Sequence, residues 1–152
     1  MGNSDASAVH SHEHGPDCDH DHEPLPTGTV AAWVLTGLLG SAGVGHFVSP
    51  AFFDAIVPEW VPISARATTY ASGVVELGAA ALLANPRTRR LGGWVAAATF
   101  IGVFPANIQA ALDGGMKDLD PPMNSAAVAW ARLPLQIPMI WAALRVARGG
   151  KR

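Results

Sequence analysis

Three ionisable residues lie in stretches that are otherwise apolar. Glu76 is the only acid in residues 65–84, Arg132 lies within residues 125–146, and His46 is near the end of residues 29–48. Ionisable groups are costly to bury in apolar segments this long, usually face the protein interior, and mark functional sites. A carboxyl group there can take or give a proton, and a guanidinium can hold an anion or a polarised carbonyl. The pattern predicts a polar centre inside a membrane protein.

Two amide side chains extend this set. Asn107 follows Pro105 in the third apolar segment, and Gln136 lies one helical turn beyond Arg132 on the same face. With a rise of ~1.5 Å per residue, all five polar residues lie at the membrane midplane or in its outer half. An apolar wall with a few convergent polar groups suits a small amphipathic ligand such as a quinone. The predicted pocket residues are His46, Glu76, Asn107, Arg132 and Gln136.

Each of these residues also has a purely structural interpretation. Glu76 and Arg132 can form a buried ion pair that fixes the helix bundle. His46 can be an ordinary histidine of the membrane interface, and Asn107 and Gln136 can form hydrogen bonds between helices. The sequence leaves both interpretations open.

Four apolar segments must position these side chains. They cover residues 29–48, 65–84, 91–112 and 125–146, each close to the ~20 residues that cross a hydrocarbon core. The hydrophobic residues make up 49% of the chain and the charged ones only 14%, whereas soluble domains carry about 25% charged residues. Many glycines lie in these segments, as is common where membrane helices pack closely. The sequence predicts an all-α fold, a four-helix transmembrane bundle over residues 29–148, followed by a basic C-terminal end at 149–152.

The distribution of basic residues predicts the orientation. Three arginines lie in the connection 85–90, and four basic residues lie at the C-terminal end, whereas the opposite side has only Arg66 and Lys117. Basic residues concentrate in cytoplasmic connections. We therefore expect a multi-pass protein of the cytoplasmic membrane with both termini inside.

The aromatic and proline-rich composition of the connection 49–64 predicts a re-entrant or surface-lying segment at the outer interface. No nucleic-acid partner is expected, because the arginines flank apolar spans rather than form a basic face.

The N-terminal tail, residues 1–28, holds five of the six histidines and six acids. Such a segment cannot bury enough apolar surface to order itself, so we predict disorder. Its imidazoles, carboxylates and single thiol suit weak capture of zinc, copper or nickel, and the alternative is a solvated acidic tail. The possible metal ligands are His10, His12, His14, Cys18, His20 and His22. Because Cys18 is the only cysteine, an intrachain disulfide and redox chemistry by a cysteine pair are excluded.

From Gly43 onwards the chain resembles the DoxX-like family of small four-helix bacterial membrane proteins. The resemblance is carried, in order, by GVGHFVSP, FFDAIVPEWVP, YASGVVELGAAALL, PRTRRLGGW, VFPANIQAAL and ARLPLQIPMIWAAL. It implies a four-helix bundle in the cytoplasmic membrane, with the five predicted pocket residues as the family's polar positions. It also implies association with membrane redox chemistry, since the family takes its name from a subunit of a thiosulfate:quinone oxidoreductase. The histidine-rich tail lies outside the family pattern, and the membrane part lacks the cysteine pairs with which some relatives work.

Three functions fit these observations. The first is an accessory subunit of a quinone-linked membrane redox system, with a small-ligand pocket in the outer half of the bundle. The second is a non-catalytic partner that assembles or stabilises another membrane protein. The third is a proton-coupled carrier of a small solute or metal. A stand-alone enzyme is not expected, because the sequence offers no nucleophile–base pair, ordered metal site or glycine-rich phosphate loop.

Overall fold

The computed structural model describes residues 27–116 and 119–149, and every regular element in them is a helix. This confirms the predicted all-α fold class. Four of the helices are long and apolar enough to cross a membrane. One matches its predicted bounds, and the other three differ from theirs by one or two residues. The helices are α1 (Thr27–Val48), α2 (Pro50–Asp54), α3 (Ala65–Ala84), α4 (Arg89–Leu112) and α5 (Ala126–Ala147).

Serine residues begin two of the long helices. The Ser64 hydroxyl accepts a hydrogen bond from the Ala67 N–H at 3.3 Å, and the Ser125 hydroxyl accepts one from the Val128 N–H at 3.4 Å. Such N-caps satisfy backbone donors that have no partner within the helix. They start α3 and α5 at the same end of the bundle, which also carries α2 and is called the α2 end below. The opposite end, where α1 and α4 begin, is called the basic end.

The four long helices form a ring in the order α1, α3, α4, α5, in which each packs on its two neighbours. Across the ring α1 also touches α4, whereas α3 and α5 do not contact each other. Two glycines allow close approach. A Cβ at Gly73 of α3 would lie 2.8 Å from the His46 Cβ of α1, and one at Gly93 of α4 would lie 2.5 Å from the Ala147 nitrogen of α5. Small residues at helix contacts let membrane helices gain van der Waals contact.

The apolar core lies mainly in the half of the bundle next to the basic end. Alanines dominate it, with a few larger side chains between them. Because these residues are small, the helices pack tightly there. The buried polar side chains of the described residues, which are His46, Thr69, Glu76 and Gln136, lie at mid-helix or towards the α2 end. The buried residues of the apolar core are Ala32, Leu35, Leu39, Ala79, Ala80, Leu83, Ala96, Ala97, Phe100, Ala143 and Val146.

The outer surface of the bundle carries many exposed large hydrophobic side chains. Apolar surface of this extent is typical of a lipid-facing protein and unusual for a soluble monomer. The chain therefore has the form of a multi-pass membrane protein. The tryptophans all belong to this exposed set, three towards the basic end and two at the α2 end, as in the aromatic belts of membrane proteins. They are Trp33, Trp94 and Trp141, and Trp60 and Trp130, respectively.

Candidate functional site

A histidine and a glutamate meet between α1 and α3, at the level where the bundle changes from apolar core to polar interior. Nδ1 of His46 lies 3.5 Å from Oε2 of Glu76. Both residues are buried, with 6% and 8% of their surface exposed. Gly73, one turn before Glu76, makes room for the imidazole, because any side chain there would meet His46 and Phe47. The pair is thus built into the packing of two membrane helices.

The hydrogen bonds of this pair are incomplete. Nδ1 of His46 lies 2.8 Å from the Ala42 carbonyl oxygen. A carbonyl only accepts, so this bond requires a proton on Nδ1 and leaves Nε2 as the acceptor of a neutral imidazole. Oε2 of Glu76 is fully buried and has no hydrogen-bond partner. A buried carboxyl oxygen without a donor is costly, and such exceptions occur at sites that bind or exchange protons. The pair can therefore accept a proton or a donor group that the resting bundle does not supply.

The short helix α2 covers this pair. The ring of Phe53 stacks on the His46 imidazole with centroids 3.7 Å apart. Asp54, the next residue, holds α2 against the first turns of α3: its Oδ1 accepts from the Thr69 hydroxyl at 2.6 Å, and its Oδ2 accepts from Arg66 Nε at 2.8 Å. The Thr69 hydroxyl above all, and then Arg66, lower the pKa of Asp54 below its ordinary value of 3.8. The connection 49–64 is thus fixed to α3 by a charged clamp and to α1 by an aromatic stack.

A second polar group links α4 to α5 at mid-helix. Asn107 Nδ2 donates to Gln136 Oε1 at 2.9 Å, and Gln136 Nε2 donates to the Phe100 carbonyl oxygen at 2.6 Å. Gln136 is only 2% exposed. Pro105, which has no N–H, leaves the Ile101 carbonyl without its helical donor, and Gln136 bonds the carbonyl one residue before it. The interpretation of Asn107 and Gln136 as hydrogen bonds between helices is confirmed.

Arg132 lies apart from both groups. Its Nη1 donates to Met116 Sδ at 3.1 Å, in the connection between α4 and α5. Within the described ranges the basic side chain in contact with the Glu76 carboxyl is His46, and Arg132 forms no salt bridge with it. The ion pair of Glu76 with Arg132 that the structural interpretation allowed is therefore not formed, because α3 and α5 lie diagonally across the bundle and do not touch. The five predicted pocket residues divide into two pairs and a separate arginine.

Two recesses in the described part of the chain are lined by other residues than these five. A cleft of about 750 Å³ lies at the α2 end, between residues 54–60 and the end of α4. An apolar groove of about 540 Å³ lies between α1 and α5 near the basic end. The cleft at the α2 end begins at Asp54, one residue after the Phe53 that covers His46.

Sequence reasoning missed the residues that enclose the pair. The sequence does not mark Phe53, Asp54 or Thr69 as functional positions. One available signal was the opposite charge of Asp54 and Arg66 at the two ends of a proline-rich connection, which is typical of an ion pair that holds the connection in place. The possible metal ligands of the tail, His10, His12, His14, Cys18, His20 and His22, lie outside the described residues. Within residues 27–116 and 119–149, no three His, Cys, Asp or Glu side chains come together as metal ligands.

Comparison with known proteins yields one match. The model of a family described as a domain of unknown function, DUF8561, matches residues 35–147. This range runs from the middle of α1 to the end of α5 and includes all five predicted pocket residues as well as α2. No curated protein and no solved structure matches the chain.

Proposed function

Since the chain belongs to the DUF8561 family, whose function is unknown, we propose its function from the site itself: an accessory subunit of a quinone-linked membrane redox system. His46 and Glu76 form the proton-exchanging pair of its small-ligand site. One observation carries this proposal, namely that the Glu76 carboxyl is buried beside an imidazole with one oxygen left without a donor. Quinone reduction and quinol oxidation both require proton transfer at an oxygen atom, and a His–Glu pair in an apolar surrounding can supply it.

Access to the pair is through α2. Phe53 covers His46, and the polar cleft at the α2 end starts directly after it, at Asp54. We place the ligand headgroup between Phe53 and the pair, reached by a displacement of α2 that breaks the aromatic stack. The charged clamp at Asp54 then sets how often this displacement occurs. Arg132 and Gln136 support the neighbouring helices and do not contact the ligand.

The redox part of the proposal draws on the resemblance to the DoxX-like family. The segments that carry the resemblance include those with His46, Phe53 and Glu76. The chain has no cysteine in its membrane part, so electrons pass between the quinone and a partner protein rather than through thiols of this chain. The protein therefore acts as a subunit and not as a stand-alone enzyme.

The apolar core disfavours the function as a proton-coupled carrier. A carrier needs polar groups along a path from one side of the membrane to the other. Beyond Glu76 towards the basic end, none of the buried side chains in the described bundle is polar or charged. The buried polar groups of these residues therefore lie at mid-helix or towards the α2 end, which does not form a path across the membrane.

We propose that the basic end faces the cytoplasm, so that α2 and the polar pair belong to the outer half of the cytoplasmic membrane. At the basic end, the guanidinium of Arg89 lies 5.9 Å from the Trp33 ring centroid and that of Arg145 lies 4.3 Å from the Trp141 ring centroid. Arginine and tryptophan together are typical of the cytoplasmic interface. A reporter that is active only in the cytoplasm, fused after Arg152, should be active, whereas activity of a periplasmic reporter at that position would reverse the orientation.

The function is tested by quinone binding. The purified protein is freed of lipid in detergent micelles, incubated with decylubiquinone, and analysed by native mass spectrometry. We expect one bound quinone per chain. Glu76→Gln should lower the affinity for the quinone about tenfold in a titration, as expected for loss of one hydrogen bond to a charged group worth ~1.5 kcal/mol.

Asp120→Asn is the matched control, because Asp120 is an exposed carboxylate at the same end and does not line the cleft, and this variant should bind as the wild type does. Equal quinone affinity of the Glu76 and Asp120 variants would sink the proposal. A stoichiometric protein partner that binds the Glu76 variant as tightly as the wild type, without quinone, would instead indicate an assembly function. Proton flux in liposomes would indicate a carrier.

A further inference from the structure

The apolar groove between α1 and α5 lies on the lipid-facing side of the bundle, away from the polar pair. Its volume is about 540 Å³, within the range of about 300–1,000 Å³ that small-molecule sites occupy. Leu35, which is 3% exposed, forms part of its floor, and Leu38 and Trp141, at 41% and 57% exposed, form part of its rim. The groove is therefore a concave surface made almost wholly of apolar groups.

The length of the groove matches one leaflet of a bilayer. On α1 it runs from Gly28, at the basic end, to Leu38. The ten helical steps between these two residues span about 15 Å at ~1.5 Å each. The hydrocarbon core of a bilayer is ~30 Å thick, so one leaflet contributes about half of this thickness. A single acyl chain lying along α1 would fill the groove from the interface to the midplane.

Of the described residues that line the groove, the one charged residue lies at its interfacial end. Arg145 is level with Gly28 there, and its guanidinium lies 4.3 Å from the Trp141 ring centroid. Stacking on an aromatic ring limits the movement of the guanidinium. Gly28 has no side chain, and among the described residues nothing lies within 4 Å of the position that a Cβ would take. Arg145 itself is exposed there, so a headgroup can reach its guanidinium.

We propose that this groove binds one anionic phospholipid, with an acyl chain on α1 and α5 and its phosphate on Arg145. The groove is apolar along its length and has one cationic side chain at the depth of the headgroups. It is therefore complementary to one acyl chain of a phospholipid whose headgroup carries a negative charge. Guanidinium and phosphate form paired, charge-assisted hydrogen bonds. The site depends neither on the polar pair nor on a redox partner, so it stands or falls independently of the quinone proposal.

The test compares two lipids on the delipidated full-length protein in detergent. Phosphatidylglycerol or phosphatidylcholine is added, and the bound lipid is counted by native mass spectrometry. The wild type should retain one phosphatidylglycerol in preference to phosphatidylcholine. Arg145→Gln should reduce this preference about fivefold, the factor that corresponds to ~1 kcal/mol for one basic residue near an anionic surface. Ala142→Phe, which fills the groove from α5, should abolish retention of both lipids.

Two control variants keep the test specific. Arg87→Gln removes one positive charge from the same end, and Ala98→Phe adds the same bulk to an exposed position of α4, and neither residue lines the groove. Both should bind lipid as the wild type does, with the helical circular dichroism of all variants unchanged. If Arg145→Gln and Arg87→Gln retain phosphatidylglycerol equally, the proposal fails. It also fails if Ala142→Phe instead dissociates a dimer, since the groove would then be filled by a second copy of the chain.

Discussion

Nδ1 of His46 and Oε2 of Glu76 lie 3.5 Å apart across the contact of α1 with α3. The histidine already has a partner for this nitrogen in the Ala42 carbonyl oxygen, whereas the glutamate oxygen has none. His46 is therefore the basic side chain next to the buried Glu76 carboxyl, and we expect the two residues to behave as one unit when either is changed.

We expect His46→Gln and Glu76→Gln to be strongly non-additive. Residues in contact within one buried polar network show coupling free energies of about 0.5–3 kcal/mol. The measurement is the free energy of unfolding of both single variants and the double variant, by reversible SDS titration in mixed micelles. The pair His46→Gln with Glu59→Gln is the control and should be additive. Additivity within about 0.5 kcal/mol for His46 and Glu76 would show that they do not interact.

Gly73→Ala should destabilise the bundle, because its Cβ would lie 2.8 Å from both the His46 Cβ and a ring carbon of Phe47. Overpacking of this kind typically costs about 1–3 kcal/mol. Gly78→Ala, on the same helix, meets nothing within 4 Å and should be neutral or slightly stabilising. Unfolding titrations of the two variants check this difference. A Gly73 variant as stable as the Gly78 variant would mean that α1 and α3 do not approach as closely as described.

The long helices could be predicted from sequence because length and absence of charge decide them. Spans of ~20 apolar residues leave few alternatives, and Ser64 and Ser125 mark the starts of α3 and α5 chemically. The depth of Glu76 and the closeness of His46 to the α2 end also follow from counting residues along antiparallel helices.

The pairing of the polar residues could not be predicted in the same way. The position of a side chain in the bundle depends on its depth in the membrane, on the rotation of its helix and on the place of that helix in the ring. Counting residues gives only the depth. Helices that are apolar on all sides carry little periodic signal. The sequence therefore does not indicate that α3 and α5 are diagonal in the ring, or that Arg132 lies away from Glu76. The role of α2 was missed because its contacts, from Phe53 to His46 and from Asp54 to Thr69, join residues that no short-range pattern relates.

Gln136→Leu should weaken the contact of α4 with α5 by about 1 kcal/mol, since it removes two hydrogen bonds that average ~0.6 kcal/mol each between membrane helices. Those bonds join Gln136 to Asn107 and to the Phe100 carbonyl. Gln109→Leu is the matched control, because Gln109 bonds only within its own helix end, to exposed Asp113. It should change the free energy of unfolding by less than about 0.5 kcal/mol. If the two variants change the free energy of unfolding equally, the hydrogen bonds of Gln136 do not stabilise the contact of α4 with α5.

The clamp at Asp54 gives a prediction that depends on pH. Because the Thr69 hydroxyl and Arg66 lower the pKa of Asp54 below 3.8, the ionised carboxyl is favoured in the folded state. Its contribution to holding α2 is fully present above the unfolded pKa and is lost as pH falls through the lower folded value. Carboxyl ¹³C NMR in micelles should show the pKa of Asp54 rising towards 3.8 in Thr69→Val, and rising less in Arg66→Gln.

Thr68→Val is the control for this titration, because the Thr68 hydroxyl is buried without a hydrogen-bond partner. It should leave the pKa of Asp54 unchanged. The same titration followed on the His46 ring protons reports whether α2 stays in place, since Phe53 stacks on that ring. We expect the ring-current shift of His46 to decrease together with protonation of Asp54, and to decrease at higher pH in Thr69→Val. If the ring-current shift stays constant through the titration, protonation of Asp54 does not move Phe53 away from His46. The aromatic contacts alone would then hold α2 in place.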